Sequence, residues 1–180
     1  MRSFFVLLLL GVILLTLALV VRSGMLARKH PGVPINATMR EAMADDAYKL
    51  PDQDLALIAS HYPGAQESAD GLRSLVRTAG TGAETPKHGQ LVTVTYTGRL
   101  LDGEKQFDAS ADHKDGPFFN FYVGENRVIA GWDEALLTMH KGEKRTVIIP
   151  FWLAYGEKGV RGGIPPRATL VFDITLVDFK

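Results

Sequence analysis

Val-Ile-Ala-Gly-Trp-Asp-Glu-Ala-Leu-Leu-Thr-Met, residues 128–139, is the best amphipathic helix pattern in the C-terminal half of the chain. Its large apolar side chains recur at spacings of four, four and three, at Val128, Trp132, Leu136 and Met139. Side chains at these spacings share one face of an α-helix, and Asp133 and Glu134 fall mostly on the other face. Lys141 and Gly142 follow, and glycine readily takes the left-handed conformation that ends a helix. The stretch therefore predicts one short helix with an apolar face.

Alternating apolar and polar residues flank this helix pattern in the sequence. In residues 91–101 one predicted face carries Val92, Val94, Tyr96 and Leu100. Alternation with a period of two is typical of a β-strand with one buried face. Further strands are predicted at 71–79, 119–123, 143–150 and 169–179. One short helix among many strands predicts a sheet wrapped over the helix, with Trp132 on the floor of a pocket.

Composition excludes several classes of function. The 180 residues carry 20 basic and 20 acidic side chains, so nothing predicts electrostatic capture of a nucleic acid. The chain has no cysteine, which excludes disulfides, thiol nucleophiles and cysteine metal ligands. Its five histidines form no His-Glu-x-x-His motif, and we predict neither a metal site nor a cofactor.

Residues 1–30 predict a membrane anchor or an export signal. Phe4 to Val21 is an uncharged run of 18 residues. As a helix it is roughly 27 Å long, close to the roughly 30 Å of a bilayer core. We therefore expect an uncleaved anchor through residues 4–21, with a cleaved signal and a secreted product as the alternative. The basic residues on its far side leave the orientation open, and we predict an extracytoplasmic, periplasmic domain.

Residues 31–70 predict a short helical linker, and residues 71–180 the folded domain. One linker helix is predicted from Thr38 to about Lys49 and a second from Asp52 to Tyr62, with Leu55 and Ile58 on one side. Both helices are too short to be stable without packing on something. An arm for dimerisation or for a partner is the alternative to a plain linker.

Known catalytic motifs are scarce in residues 71–180. There is no Gly-x-Ser-x-Gly, and the glycine-rich residues 156–163 lack the Gly-Lys-Ser/Thr ending of a phosphate-binding loop. We interpret these residues as a mobile loop at the rim of a pocket. Seven aromatic residues fall on inward or loop-facing positions, namely Tyr96, Phe107, Phe119, Phe121, Trp132, Tyr155 and Phe172. Each alone is compatible with ordinary core packing, and Asp108 alone with a local turn.

Five stretches of residues 71–180 carry a resemblance to a known family. They are Val-Thr-Tyr-Thr-Gly (94–98), Leu-Asp-Gly-Glu-Lys-Gln-Phe-Asp-Ala-Ser (101–110), Val-Ile-Ala-Gly-Trp-Asp-Glu-Ala (128–135), Ala-Tyr-Gly-Glu-Lys-Gly (154–159) and Ile-Pro-Pro-Arg-Ala-Thr-Leu-Val-Phe-Asp-Ile-Thr-Leu (164–176). With these motifs, in this order, the region resembles FKBP-type peptidyl-prolyl cis-trans isomerases. The resemblance implies an α+β fold in which an antiparallel sheet of five or six strands curls around one short helix.

The resemblance also implies the site. It assigns catalytic positions to Asp108, Tyr155 and Trp132, and substrate-binding positions to Tyr96, Phe107, Phe119, Phe121, Val128, Ile129, Ile164 and Phe172. The chain departs from its relatives at Val160, at Gly163 and in a loop from Asp112 to Phe118 that is longer by a residue. The sequence assigns no basic partner to Asp108. The expected partners are proline-containing polypeptides and macrolide inhibitors.

Two other classes of function stay open at the level of sequence. One is a membrane-tethered chaperone or peptide-binding module that keeps the pocket but catalyses little isomerisation. The other is a structural membrane-tethered domain that uses its sheet surface for a partner. The complete set of pocket residues favours the isomerase, which needs no nucleophile, metal or cofactor because the reaction only turns a peptide bond.

Overall fold

The computed structural model describes residues 48–103 and 105–180. The predicted anchor, the predicted first linker helix and Glu104 lie outside the described residues. Within the described part no helix combines the length and the apolar character needed to cross a bilayer. Residues 48–180 form one compact unit.

Two α-helices and seven strands make up this unit. The α-helices are α1 (Asp52–His61) and α2 (Ala130–Leu136). The strands are β1 (Gln66–Glu67), β2 (Arg73–Thr78), β3 (Leu91–Leu100), β4 (Gln106–Ala109), β5 (Phe119–Tyr122), β6 (Lys144–Ile149) and β7 (Leu170–Phe179). Short 3₁₀ helices span Ser110–Asp112 and Phe151–Leu153. The sheet has seven strands, whereas five or six were predicted. One of the additional strands is β1, a two-residue strand that pairs with the edge of β2.

All strands belong to one antiparallel sheet, in the order β1-β2-β6-β7-β3-β4. β3 pairs with β7 along one edge, and its other edge is divided between two partners. β5 pairs with residues 91–94 of β3, and β4 pairs with residues 97–99. The chain between β4 and β5 therefore leaves the sheet beside Tyr96. There the hydroxyl of Ser110 accepts the Tyr96 N–H at 3.0 Å, which satisfies the backbone in the gap.

The alternation of β3 and β7 is as predicted. Every second residue of β3 is buried from Val92 to Leu100. On β7 the predicted inward residues are all in the main core, namely Leu170, Phe172, Ile174 and Leu176. α2 packs across this concave face through Trp132, Ala135 and Leu136. A sheet curled around one short helix is therefore confirmed.

The helix itself is shorter than predicted. Residues 128–139 include only seven helical residues, because Ile129 is extended, with φ −63° and ψ 147°, and α2 ends at Leu136. Met139 is nevertheless fully buried. Gly142 has φ 79°, but it lies in the turn before β6, whereas Leu137 caps α2, so its predicted role as the cap of this helix is wrong. The extended Ile129 lets the backbone enter the helix at the edge of the concave face.

Asp133 is on the inner side of α2, and its predicted place on the solvent face is wrong. Only 8% of the residue is exposed. Its carboxylate accepts the backbone N–H of Gly124 at 2.7 Å and that of Asn126 at 3.2 Å. Periodicity could not show this, because the carboxylate is paired with a turn that precedes the helix in sequence. Asp133 thus ties the turn after β5 to α2.

The convex face of the sheet is covered by α1. The core between α1 and the sheet contains Ile58 of α1 and Tyr62, the residue that follows α1. From the side of the sheet it contains Leu101, Ile148 and Val171. Ile58 is 6% exposed, whereas Leu55 is 40% exposed, so the two residues predicted on one side of the helix are not equally buried. Arg99 joins the layers through the Tyr62 hydroxyl and the Asp173 carboxylate, at 3.2 and 2.7 Å.

Candidate active site

A cavity of about 210 Å³ opens on the concave side of the sheet, where the chain enters α2. Ten residues line it: Tyr96, Phe107, Asp108, Phe119, Arg127, Val128, Ile129, Trp132, Tyr155 and Phe172. They come from β3, β4, β5, β7, the start of α2 and the loop after the second 3₁₀ helix. Nine of the eleven residues predicted for the site are in this set.

Trp132 forms the floor of the cavity. Its indole is surrounded by aromatic rings, with centroids 4.9 Å away for Tyr96 and 5.2 Å for Phe172, both nearly perpendicular to it. Edge-to-face contacts of this kind stabilise rings beyond the apolar area that they bury. Only 3% of Trp132 is exposed, and its Nε1–H has no hydrogen-bond partner among the described residues. The floor is therefore closely packed by aromatic rings and offers a ligand an apolar surface.

Gly98 allows the wall of the cavity to close. A Cβ atom at this position would lie 2.6 Å from Phe172 and 2.9 Å from Phe107. Without that atom the two phenyl rings meet edge to face with centroids 5.6 Å apart. The small residue in Val-Thr-Tyr-Thr-Gly is thus required by the packing of the wall.

Asp108 lies at the mouth of the cavity with both carboxylate oxygens paired. Tyr96 donates its hydroxyl to Oδ2 at 2.7 Å, and the His113 Nε2 lies 2.9 Å from Oδ1. Burial raises the pKa of Asp108, but the hydrogen bonds from His113 and Tyr96 outweigh it and leave the pKa below its ordinary value. The group is therefore a carboxylate at neutral pH.

Tyr155 faces Asp108 across the mouth. Burial and the nearby negative charge of Asp108 raise the pKa of its hydroxyl. The same two causes, with the hydrogen bond to Asp108, raise the pKa of Tyr96. Both phenols stay protonated at neutral pH. Since 41% of Tyr155 is exposed, its hydroxyl is free to donate a hydrogen bond to a group that enters the cavity.

The sequence pattern that defines the family of FKBP-type peptidyl-prolyl cis-trans isomerases matches residues 82–177, more than half of the chain. The chain belongs to this family. It is 47% identical over 111 residues to FK506-binding protein 1A of Neurospora crassa, a match that covers 62% of this chain and 90% of that protein.

Other relatives of this FKBP-type chain are longer. The peptidyl-prolyl cis-trans isomerase FKBP4 of mouse is 46% identical over 111 residues, which is 62% of this chain and 24% of FKBP4. The chain thus spans about a quarter of the length of the mammalian relatives it matches. The crystal structure of FkpA from Escherichia coli is similar with a TM-score of 0.63 and 38% identity, over 80% of this chain and 65% of that one.

Two predicted site residues lie outside the cavity lining of the FKBP-type domain. Phe121 is 7% exposed and stands behind the lining, with its ring centroid 5.2 Å from Phe119 and 5.9 Å from Trp132. Ile164 is buried in the main core and pairs its backbone with Val160. Phe121 shares one face of β5 with Phe119 but lies two residues farther along the strand, and Ile164 is held in the core beside Val160, so both support lining elements without lining the cavity.

Two residues at the site were not predicted from the sequence. Arg127 precedes the helix motif and lines the cavity with a largely exposed side chain. His113 lies in the loop between β4 and β5 and pairs with Asp108. His113 lies in a loop, so no hydrophobic periodicity pointed to it. A search for basic residues shortly after the Phe-Asp motif could have identified it as a partner for the carboxylate.

A larger groove of about 730 Å³ lies elsewhere, between the start of α1, the turn before β2 and Trp152. It contains the paired side chains Arg73 and Glu67, which are 2.8 Å apart. Its volume exceeds that of the FKBP-type cavity, but only two aromatic residues line it, Tyr48 and Trp152, whereas six line the smaller cavity. We therefore assign the chemistry to the smaller cavity.

Proposed function

We propose that this chain is a peptidyl-prolyl cis-trans isomerase that acts on X-Pro bonds in proline-containing polypeptides. The observation that carries the proposal is the cavity floored by Trp132 and walled by aromatic rings, with Asp108 and Tyr155 at its mouth. Its volume of about 210 Å³ fits a proline ring and its flanking peptide groups, not a large cofactor. Family membership supports the same activity.

The physical basis of catalysis is the polarity of the amide. Resonance gives the peptide C–N bond a barrier of about 18–20 kcal/mol. The twisted transition state has lost this resonance, and its carbonyl is less polar than that of the planar amide. Water and hydrogen bonds stabilise the planar amide, whereas a dry aromatic cavity binds the less polar twisted form relatively better than the planar one. This preference lowers the barrier without a covalent intermediate.

The residues have distinct proposed roles. The proline ring rests on Trp132, between walls formed by Tyr96, Phe107, Phe119, Val128 and Phe172. The Ile129 backbone N–H and the Tyr155 hydroxyl donate hydrogen bonds to substrate carbonyl groups. Asp108, held as a carboxylate at the mouth, orients and polarises the twisting amide. Phe121 and Ile164 hold the lining in place from behind.

The test is isomerisation of a short X-Pro peptide by the full chain, with and without a macrolide such as rapamycin. We expect acceleration that the macrolide abolishes and that falls in Asp108→Val and Trp132→Ala variants. Asp112→Asn is the control, since its carboxylate is exposed and bonds only to Gln106 in the described residues. Peptide binding without acceleration by the folded chain would contradict the proposal and indicate a chaperone or peptide-binding module.

We further propose that residues 4–21 anchor the enzyme in a membrane, with the FKBP-type domain outside the cytoplasm, where it assists the folding of emerging chains. The uncharged run of 18 residues supports this. A reporter enzyme that works only outside the cytoplasm, fused after Lys180, should be active and should sediment with membranes. Leu10→Arg should weaken the insertion, because arginine at a helix centre costs about 2.5–3.5 kcal/mol. Activity of a cytoplasm-only reporter, or a cleaved soluble product, would contradict the anchor.

A further inference from the structure

Two charged side chains line the cavity, those of Asp108 and Arg127. Both oxygens of Asp108 already have a partner, the Tyr96 hydroxyl at 2.7 Å and the His113 Nε2 at 2.9 Å. The other lining residues are apolar residues and tyrosines. Arg127 is therefore the charged group of the lining that is available to meet a charge on the substrate.

The guanidinium of Arg127 is held only weakly by the rest of the protein. Its one ion pair among the described residues is with Glu125, where Nε and Oε2 are 3.9 Å apart, too far for a hydrogen bond. The side chain of Arg127 is 67% exposed and that of Glu125 is 40% exposed. Such exposed pairs contribute little to stability, because water screens them and both side chains must be ordered. The guanidinium can therefore turn toward a ligand at small cost.

The backbone around Arg127, in contrast, is fixed. The buried carboxylate of Asp133 accepts the N–H of Gly124 at 2.7 Å and that of Asn126 at 3.2 Å. On the other side of Arg127 the chain enters α2, which begins at Ala130 and packs into the core. The base of the Arg127 side chain therefore has a set place at the cavity, and its flexible end reaches outward.

The position of Arg127 relative to a bound substrate follows from the chain itself. The Ile129 N–H is the proposed donor to a substrate carbonyl, and Ile129 is two residues after Arg127. Two residues of extended chain span at most about 7 Å, and the same limit applies to the substrate. A substrate side chain one or two residues from the proline therefore comes within reach of the long arginine side chain.

A carboxylate is the group that best fits a guanidinium in this place. The donors of arginine form a planar fork that meets two carboxylate oxygens at once. A basic side chain at the same position of the substrate is repelled. Asp108 acts against an acidic side chain, but both of its oxygens have a partner within the protein.

We propose, on the basis of the isomerase function above, that Arg127 is a specificity-determining residue that selects substrates with an acidic side chain within two residues of the proline. Its guanidinium binds that carboxylate at the rim while the proline ring rests on Trp132. The preferred substrates are then X-Pro bonds in acidic segments of polypeptides.

The experiment measures kcat/KM of the full chain at pH 7 by NMR exchange, without a coupling protease. The peptides carry Glu, Gln or Lys at each of the two positions on either side of the proline. At one position or more, the Glu peptide should exceed the Gln peptide about twofold to fivefold, and the Lys peptide should fall below both. This preference should shrink between about 0.01 and 1 M salt, because the Debye length falls from about 30 to 3 Å.

Substitutions test whether Arg127 is the source of the preference. Arg127→Gln should remove it, and Arg127→Glu should reverse it in favour of the Lys peptide. Arg127→Lys should keep part of it, because lysine retains the charge but not the planar fork. Glu125→Gln should enlarge it, since the competing carboxylate is gone. Arg161→Glu is the matched control and should keep the wild-type preference, because Arg161 is exposed and lines a separate groove.

Three results would overturn the proposal. One is a wild-type chain that treats the Glu and Lys peptides alike at every position, and another is an Arg127→Glu variant that keeps the wild-type order of peptides. The third is an equal change in Arg161→Glu, since the preference would then come from the net charge of the protein. Failure of the wild-type chain to accelerate even the Gln peptides would instead contradict the isomerase function.

Discussion

The Tyr155 hydroxyl at the cavity mouth forms no hydrogen bond with any other residue that the structure describes, so its removal breaks no contact of the fold there. We expect Tyr155→Phe to lower kcat/KM about threefold to tenfold, since one hydrogen bond contributes about 0.5–1.5 kcal/mol. The free energy of unfolding should stay within about 0.5 kcal/mol. Tyr122→Phe is the control, because Tyr122 is half exposed on β5 and outside the cavity lining. Equal activity of both variants would exclude the Tyr155 hydroxyl as a donor.

Tyr96 acts on the charge of the site through its hydroxyl. Tyr96→Phe removes the donor to Asp108 Oδ2, so the pKa of Asp108 should rise toward its ordinary value. A carboxyl whose pKa is lower in the folded protein than in the unfolded chain stabilises the fold at any pH above the unfolded pKa of about 3.9. This stabilisation is lost as the pH falls through the pKa of the folded protein.

The variant should therefore differ most from wild type in stability at pH 7 and least at an acid pH below the lowered pKa of folded Asp108, where the carboxyl is protonated in both proteins. Denaturant unfolding at the two pH values measures this difference. A difference in stability that is the same at both pH values would mean that Tyr96 contributes only through its packing against Trp132.

At the scale of elements, the close packing of α2 on the sheet depends on the absence of a side chain at Gly131. A Cβ atom on Gly131 would lie 2.6 Å from the Ile149 Cγ2 and 3.1 Å from Leu72. Overpacking costs about 1–3 kcal/mol, and alanine in place of glycine returns up to about 1 kcal/mol of helix propensity. We expect Gly131→Ala to lose about 1–2 kcal/mol and to lower activity, since Trp132 moves with the helix.

Thermal unfolding and the peptide assay test this expectation together. Gly103→Ala is the matched control, because a Cβ atom there meets no atom within 4 Å. It should change the free energy of unfolding by no more than about 0.5 kcal/mol. A stabilised Gly131→Ala variant would show that α2 has room to move away from Ile149.

At the scale of the whole molecule, the sheet carries a core on each face. The cavity belongs to the concave core, whereas Ile58 on α1 is buried in the convex one. Ile58→Ala should cost about 2–4 kcal/mol because it leaves a cavity between α1 and the sheet. Activity well below the unfolding temperature should be unchanged.

Leu55→Ala on the same helix is the control, since Leu55 is 40% exposed and should change stability by about 0.5 kcal/mol or less. Equal effects of the two substitutions, measured by denaturant unfolding, would mean that α1 is a linker that does not stabilise the domain.

Much of the fold was predictable because its signals are local. Alternation placed Val92, Val94 and Tyr96 on the buried face of β3, and the same pattern gave the inward side of β7. The motifs of the family also identified nine of the residues that line the cavity. The helix length was not predictable, because Ile129 takes the extended conformation of the residue that precedes the first turn of α2, while the apolar periodicity continues through this position.

The sequence by itself therefore determined the class of fold, the buried faces of the long strands and the aromatic composition of the site, since each depends on residue type and on short-range periodicity. Only the tertiary structure decided that Asp133 faces inward, that Phe121 stands behind the cavity and that His113 meets Asp108. For the contact between His113 and Asp108, the physical reason is the divided edge of β3. Where β4 ends and β5 begins, the chain must leave the sheet, and its path there brings together side chains that no local pattern connects.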